Sequence, residues 1–315
     1  MIKLLVYTDG KPEAARALHF AAELKKRLRA ELAVITIRPA THGAEEPPPI
    51  GVPLTAAQRA DLPPGLRILL DAAAALVEAQ ILAPPDSLVI RDNPRGHMFA
   101  CKDTANERVP FYESFGDFVE ILNREVDEHG YHLLIVAPHH RSKLGRMVVG
   151  STTRKLALDL HTSVLVVRGG GPDSRYLVCT DGSPSARRQF PLLRQLLPSI
   201  VPPIALLCLH KTDDDAEVRR ESQACLQRAH EWLTRCGKVA TVQFREGSRY
   251  TDMILESAGS EAVITMGASL RHDVYRRMRG SLPMQVLERT SSSLLLVKLP
   301  PEADTDFMKD PFTCE

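Results

Sequence analysis

The sequence predicts an α/β protein of two tandem modules, each a five-stranded parallel sheet flanked by helices, and three observations carry that expectation. The stretch "LLVYTDGKPEAARAL" returns as "YLVCTDGSPSARRQF" at an offset of 172 residues, matching Thr8 with Thr180, Asp9 with Asp181, Gly10 with Gly182 and Pro12 with Pro184. A second pair, "LLIVAPHHRSKLGRMVVGSTTRKLALDLHTSVLVVR" and "AVITMGASLRHDVYRRMRGSLPMQVLERTSSSLLLVK", sets Gly150 and Ser151 over Gly280 and Ser281 at an offset of 130. Order is kept at both ends while the first copy holds 42 more residues between these anchors, the mark of a duplicated module with an insertion. Within each copy short apolar runs alternate with helix-length patterns, as a parallel sheet covered by helices requires.

In the first copy, strands are expected near residues 2–7, 31–37, 86–91, 132–137 and 163–168, and helices near 12–29, 65–83, 116–129 and 151–160. In the second, strands are expected near 175–180, 203–209, 239–245, 261–266 and 293–298, and helices near 184–197, 215–236, 248–259 and 281–290. Pro12 and Pro184 mark helix starts, because a first turn has no use for the amide that proline lacks. The expected domains are residues 1–168 with inserted loops at about 38–64 and 92–115, a "GGGPDS" linker at 169–174, a second domain at 175–299 and a tail at 300–315. The inserted stretches follow the second and third strands and read either as solvated excursions or as a lid or partner-docking surface. Phe99, Phe111, Tyr112 and Phe115 favour packing for the later one.

Lys and Arg number 40 against 39 for Asp and Glu, so no global field favours nucleic acid or anionic lipid. Apolar runs such as "LLIVA" and "SLLLV" are too short to cross a bilayer, and "MIKLLVYTDG" meets an acidic turn before a signal-peptide core could form. A cytoplasmic location is the expectation. The six cysteines lack a CxxC pair, which points to buried free thiols rather than a zinc ribbon or disulfide framework. One strand length separates His129 and His132 from His139 and His140, so no single tetrahedral metal site collects them. The chain carries no GxSxG elbow, Walker A, SGGxDS or HxGH signature, and each copy has a lone acid after its first strand where a receiver domain would have a pair. Binding without turnover fits best.

A strand-turn-helix unit aims its turn at the carboxyl edge of a parallel sheet, where open α/β folds collect ligands. Asp9 and Asp181 sit in such turns. Each either accepts hydrogen bonds from an adenine amino group or ribose hydroxyl, or caps the following helix through backbone amides. Gly150-Ser151 and Gly280-Ser281 open the last helix of each copy, where free amides, a hydroxyl and the positive end of the peptide dipoles suit phosphate oxygens. The plain alternative is that both serines only start helices.

Together these residues resemble the universal stress protein family in tandem form, across nearly the whole chain apart from the insertion and the tail after Pro300. The resemblance implies Rossmann-like domains of the adenine nucleotide alpha hydrolase-like kind, a non-catalytic regulatory stress-response protein, and an adenine nucleotide, ATP or AMP, as ligand. The family's G-x2-G-x9-G-[ST] motif keeps its spacing as Ala137-x2-His140-x9-Gly150-Ser151 and as Gly267-x2-Leu270-x9-Gly280-Ser281, with Met266 before Gly267. Its loop glycines are only partly kept, and the leucine or histidine in their place narrows the approach for phosphate. The nucleotide-binding set this implies is Asp181, Met266, Gly267, Ser269, Arg271, Gly280 and Ser281 in the second copy. A weaker set in the first comprises Asp9, His139, Arg141, Lys143, Gly150 and Ser151. The family also pairs modules through their final strands, which "TSVLVVR" and "SSLLLVK" can do within one chain as a pseudo-dimer, with a homodimer a further option. An unidentified protein partner, no nucleic acid, no membrane and no metal complete the expectation. The competing class is a ligand-independent interaction scaffold with degenerate sites, ahead of a nucleotide-hydrolysing or transferring enzyme.

Overall fold

Leu4, Leu5 and Val6 are all fully buried, so the first strand, β1 (Lys3–Tyr7), is covered on both faces, the pattern of a parallel strand between helix layers. In the computed structural model that shows this, the described residues are 1–40, 48–55, 58–59, 61–85, 87–138, 151–210, 215–268, 281–298 and 312. They fall into two compact units, Met1–Ala137 and Pro138–Glu315.

In the first unit β1 lies between β2 (Glu31–Arg38) and β6 (Leu133–Val136), both parallel to it. Helix α1 (Pro12–Leu28) begins at a proline and buries Ala14, Ala17, Leu18, Ala21 and Leu24, an apolar stripe at helical spacing. Helices α2 (Pro64–Glu78) and α3 (Phe118–His129) complete the unit. Asp117 caps α3 by accepting from the Val119 and Glu120 amides, and Gly130 ends it in the left-handed conformation.

The third strand differs from the expectation. Residues near 86–91 make only isolated bridges, Ile90 with Ile50 and Val89 with Pro53, before the short β3 (Arg91–Asn93). The parallel neighbour of β2 is instead β5 (Arg108–Phe115), which pairs on its other edge with the antiparallel β4 (Gly96–Lys102), itself paired to β3. Residues 92–115, expected as an inserted loop, are thus a sheet-extending meander. Pro110 hid the strand, because proline inside an apolar run speaks against a central position. The β2 ladder begins only at Val34 opposite Phe111, so the missing amide of Pro110 falls just outside it. Phe99 stacks on Phe111 at 4.8 Å between centroids, both rings buried, so the aromatic residues of this stretch are packed. A buried ion pair ties the meander to α1: Lys25 Nζ lies 2.7 Å from Asp103 Oδ2 and also donates to the Ala30 carbonyl.

The second unit repeats the parallel plan with strand order β10-β9-β8-β11-β12, built from β8 (Tyr176–Cys179), β9 (Ile204–His210), β10 (Ala240–Glu246), β11 (Val263–Gly267) and β12 (Ser293–Val297). The strand β7 (Ser163–Val166) joins β12 antiparallel, with Val164, Leu165 and Val166 opposite Leu296, Leu295 and Leu294. The two final strands of the sequence repeat therefore pair. The helices are α4 (Ser151–Asp159), α5 (Pro184–Arg187), α6 (Gln189–Leu196), α7 (Ala216–Arg235), α8 (Tyr250–Ala258) and α9 (Leu282–Arg289). The single helix expected near 184–197 is broken at Arg188, because Pro191 has no amide to give the Arg187 carbonyl one turn back. Among the described residues, no helix is long and apolar enough to cross a membrane.

Candidate functional site at the second-unit strand crossover

Chain connections leave β8 and β11 in opposite directions, so the carboxyl ends of these neighbours border a crevice. Asp181 follows β8 and Gly267 ends β11. A recess of about 200 Å³ opens there. Its walls are Cys179, Thr180, Asp181 and Ser183 from the β8 turn, Met266 and Gly267 from β11, Tyr250 and Ile254 from α8, and Leu282 and Pro283 from the start of α9. A neighbouring recess of about 610 Å³ shares Asp181, Ser183, Leu209 and Tyr250 and extends to Arg187, Glu221 and Arg228. Asp181 and the amino end of α9 thus border one recess.

The β8 turn is largely self-satisfied. Gly182 takes φ +77°, which only glycine adopts freely, and the Ser183 amide donates to Asp181 Oδ1 at 2.9 Å. Ser183 Oγ accepts from the Ala186 amide at 3.2 Å, capping α5 with its own side chain. Ser222 Oγ of α7 donates to the Asp181 carbonyl at 2.7 Å and pins the turn. The Asp181 side chain remains exposed and has no ion partner among the described residues.

The opposite wall is not self-satisfied. Ser281 has the extended N-cap conformation of α9, yet makes no side-chain cap bond, and its Oγ is buried with no hydrogen-bond partner among the described residues. A buried hydroxyl left unpaired costs on the order of 1–3 kcal/mol unless something arrives to accept from it. Pro283 contributes no amide, so the helix start offers those of Leu282 and Met284. Gly267 is needed for packing rather than for φ. A β-carbon there would overlap the Ser185 carbonyl oxygen and lie 3.0 Å from Ala186 Cα, so the close approach of α5 to β11 shapes the recess.

The thiols beneath the cleft are chemically quiet. Burial pushes both Cys179 and Cys208 up to about 12, and Cys225 is raised by the same cause, so all three stay protonated at neutral pH and are poor nucleophiles. No group of three or more His, Cys, Asp or Glu among the described residues is arranged to hold a metal ion.

In the first unit the equivalent acid is engaged. Lys11 Nζ lies 3.2 Å from Asp9 Oδ2 while the Lys11 amide donates to Asp9 Oδ1 at 3.2 Å, and the carboxylate is half-buried. Position 11 corresponds to Ser183 in the other copy, a difference present in the aligned sequences that marks the first site as internally neutralised. Ser151 opens α4 within the second unit, whereas Asp9 belongs to the first. His139, Arg141, Lys143, Gly150, Ser269, Arg271 and Gly280 lie outside the described residues. Sequence reasoning passed over Tyr250 and Ile254, which reach the recess from one face of α8 at helical spacing, and the wall residues Thr180, Ser183 and Leu209.

A parallel α/β sheet with a recess where its connections diverge defines an open-sheet α/β protein. The profile of the universal stress protein family matches residues 1–168, more than half of the sequence, and the chain belongs to that family. Comparison with curated proteins finds no match. Among solved structures, a universal stress protein from Archaeoglobus fulgidus DSM 4304 is similar with a TM-score of 0.64 at 16% identity, covering 94% of this chain and 98% of that one. A functionally unknown protein from Pseudomonas aeruginosa PAO1 has a TM-score of 0.60 at 15% identity, covering 94% of this chain and 92% of that one. A universal stress protein in complex with cAMP matches 53% of this chain and 96% of that one, at 19% identity and a TM-score of 0.34.

Proposed function

We propose that this chain is a regulatory universal stress protein that binds an adenine nucleotide in its second copy and does not turn it over. The observation that carries the reading is that one recess is bordered by the exposed Asp181 carboxylate, which has no ion partner among the described residues, and by Leu282 and Pro283 at the start of α9, next to a Ser281 hydroxyl that is buried with no hydrogen-bond partner among the described residues. The carboxylate accepts hydrogen bonds from amino or hydroxyl groups of a base and ribose; the hydroxyl, with the helix dipole behind it, donates to a phosphate oxygen. Met266, Gly267, Ser269, Arg271 and Gly280 belong to the same proposed set. Asp9, His139, Arg141, Gly150 and Ser151 form the weaker first-copy set, because Lys11 already occupies Asp9. Burial keeps the Cys179 and Cys208 thiols protonated at neutral pH, which speaks against thiol catalysis at this recess. The copies are proposed to divide at residues 169–174 and to associate through β7 and β12 as an intramolecular pseudo-dimer, with occupancy of the cleft altering the surface offered to a protein partner in the cytoplasm.

The competing reading is a scaffold that acts without a small ligand, favoured by Leu270 and His140 standing at loop glycine positions. Equilibrium dialysis of the full chain against ATP, AMP and cyclic AMP separates the two. Saturable binding supports the nucleotide reading, and its absence for all three supports the scaffold.

A further inference from the structure

Phe312 is far from the sheet in sequence, yet its ring is among the most buried aromatic surfaces of the second unit. It packs 4.8 Å from the Phe190 ring of α6 and 6.2 Å from the Trp232 ring of α7, both fully buried, and is itself 2% exposed. Arg235 Nη2 donates to the Phe312 carbonyl at 3.2 Å, so the backbone is held as well as the ring. The Arg228 guanidinium carbon stands 5.8 Å from the Phe312 ring centroid, a cation-π distance. The same Arg228 lines the larger recess beside Asp181, together with Arg187 and Glu221. One face of α7 therefore meets the C-terminal anchor and another the cleft, and Arg228 touches both. Arginine left on a helix surface samples many rotamers; a ring that holds its guanidinium removes that freedom before a ligand arrives, which lowers the cost of binding.

We propose that Phe312 is a positioning residue for the larger recess beside Asp181: by holding the Arg228 guanidinium it keeps a positive charge on that side of the cleft, so that an anionic nucleotide is favoured over its uncharged nucleoside. The inference rests on the nucleotide reading above and goes beyond it by assigning a C-terminal residue, outside both repeated copies, a role in choosing charged ligands. The sequence pattern contains nothing that signals this, because Phe312 belongs to neither repeat.

The test is calorimetric titration of the full chain with AMP and with adenosine, using wild type, Phe312→Ala, Phe312→Tyr, Arg228→Gln and the Phe312→Ala/Arg228→Gln double variant, each with its melting temperature recorded. Loss of the cation-π contact is expected to weaken AMP binding by about two- to fivefold in Phe312→Ala while leaving adenosine unchanged. Phe312→Tyr, which keeps the ring, is expected to bind AMP as the wild type does, and the double variant to bind it no worse than Arg228→Gln alone. Equal effects on AMP and adenosine, no effect on either, or additive losses in the double variant would overturn the inference while leaving nucleotide binding intact. Failure of the wild type to bind either compound would overturn both readings together.

Discussion

Arg168 and Lys298, the residues that follow the two paired final strands, each cap the last helix of the opposite copy. Arg168 Nη1 donates to the Thr290 carbonyl at 2.6 Å and Lys298 Nζ to the Leu160 carbonyl at 2.9 Å. The Arg168 amide donates to Ser293 Oγ and the Lys298 amide to Ser163 Oγ, at 3.0 and 3.1 Å. All of these pairs are related by the repeat offset of 130 residues, so the β7–β12 contact carries a local two-fold symmetry in its side chains as well as its strands. Positive groups at helix carboxyl ends also complement the peptide dipoles.

The symmetry breaks in proton affinity. Burial pushes Lys298 down to about 7 against a weaker opposing pull from Asp159, whereas burial lowers Arg168 only to about 10. Because unfolded lysine binds its proton more tightly than folded Lys298, this residue's contribution to stability is smallest below pH 7 and grows as the pH rises toward the ordinary lysine range. Urea unfolding from pH 6.5 to 9.5 is expected to show wild-type stability rising relative to Lys298→Met by up to about 1.4 kcal/mol per pH unit. Parallel pH profiles for the two proteins would refute the assignment.

Asp103 anchors the first-copy meander, and its removal should be costly. Burial alone would raise its carboxyl, but hydrogen bonds from Lys25 and from the Glu107 and Ala105 amides outweigh that and hold it below its ordinary value. Asp103→Asn leaves the buried Lys25 with only the more distant and exposed Glu107 carboxylate, 3.8 Å away, at an expected cost of about 3 kcal/mol in chemical denaturation. The carboxylate's contribution is present above the ordinary aspartate range and lost as pH falls through the lowered folded value, so the gap between wild type and variant should close in acid.

Ser281→Ala separates ligand from fold. An N-cap serine that bonds its helix loses about 1 kcal/mol on truncation. This one makes no such bond, so the variant is expected to melt at the wild-type temperature or above while binding AMP roughly fivefold more weakly. A lowered melting temperature with unchanged AMP affinity would show that the hydroxyl serves the helix.

Gly267→Ala drives a methyl group into the Ser185 carbonyl and against Ala186. Overpacking of this kind is expected to cost about 2 kcal/mol and to displace α5 from β11, weakening AMP binding as well. Thermal unfolding followed by titration reads both effects; wild-type values for each would mean the approach of α5 is softer than the geometry indicates.

Repetition made most of the fold legible before any coordinates. Matched "TDG" turns located β1 and β8, and matched Gly-Ser pairs located α4 and α9, because duplication preserves the spacing between a strand end and a helix start. The β5 strand was hidden by Pro110, whose tolerance depends on where the β2 ladder begins, a tertiary fact. The break after Arg187 was readable from Pro191, whose local effect is strong. Of the candidate site, Asp181 and Ser281 could be named from pattern alone, whereas Tyr250 and Ile254 reach the recess only through the packing of α8 against the sheet. Lys11 beside Asp9 was legible in principle, since a lysine two residues from a turn aspartate needs no long-range fold to reach it.

The central claim is that the second copy, through Asp181, holds the nucleotide. Titration of AMP into wild type, Asp181→Ala and Asp9→Ala tests it most directly. One saturable site per chain, abolished by Asp181→Ala and retained in Asp9→Ala, is the predicted result; binding that survives Asp181→Ala, or is lost only in Asp9→Ala, would contradict it.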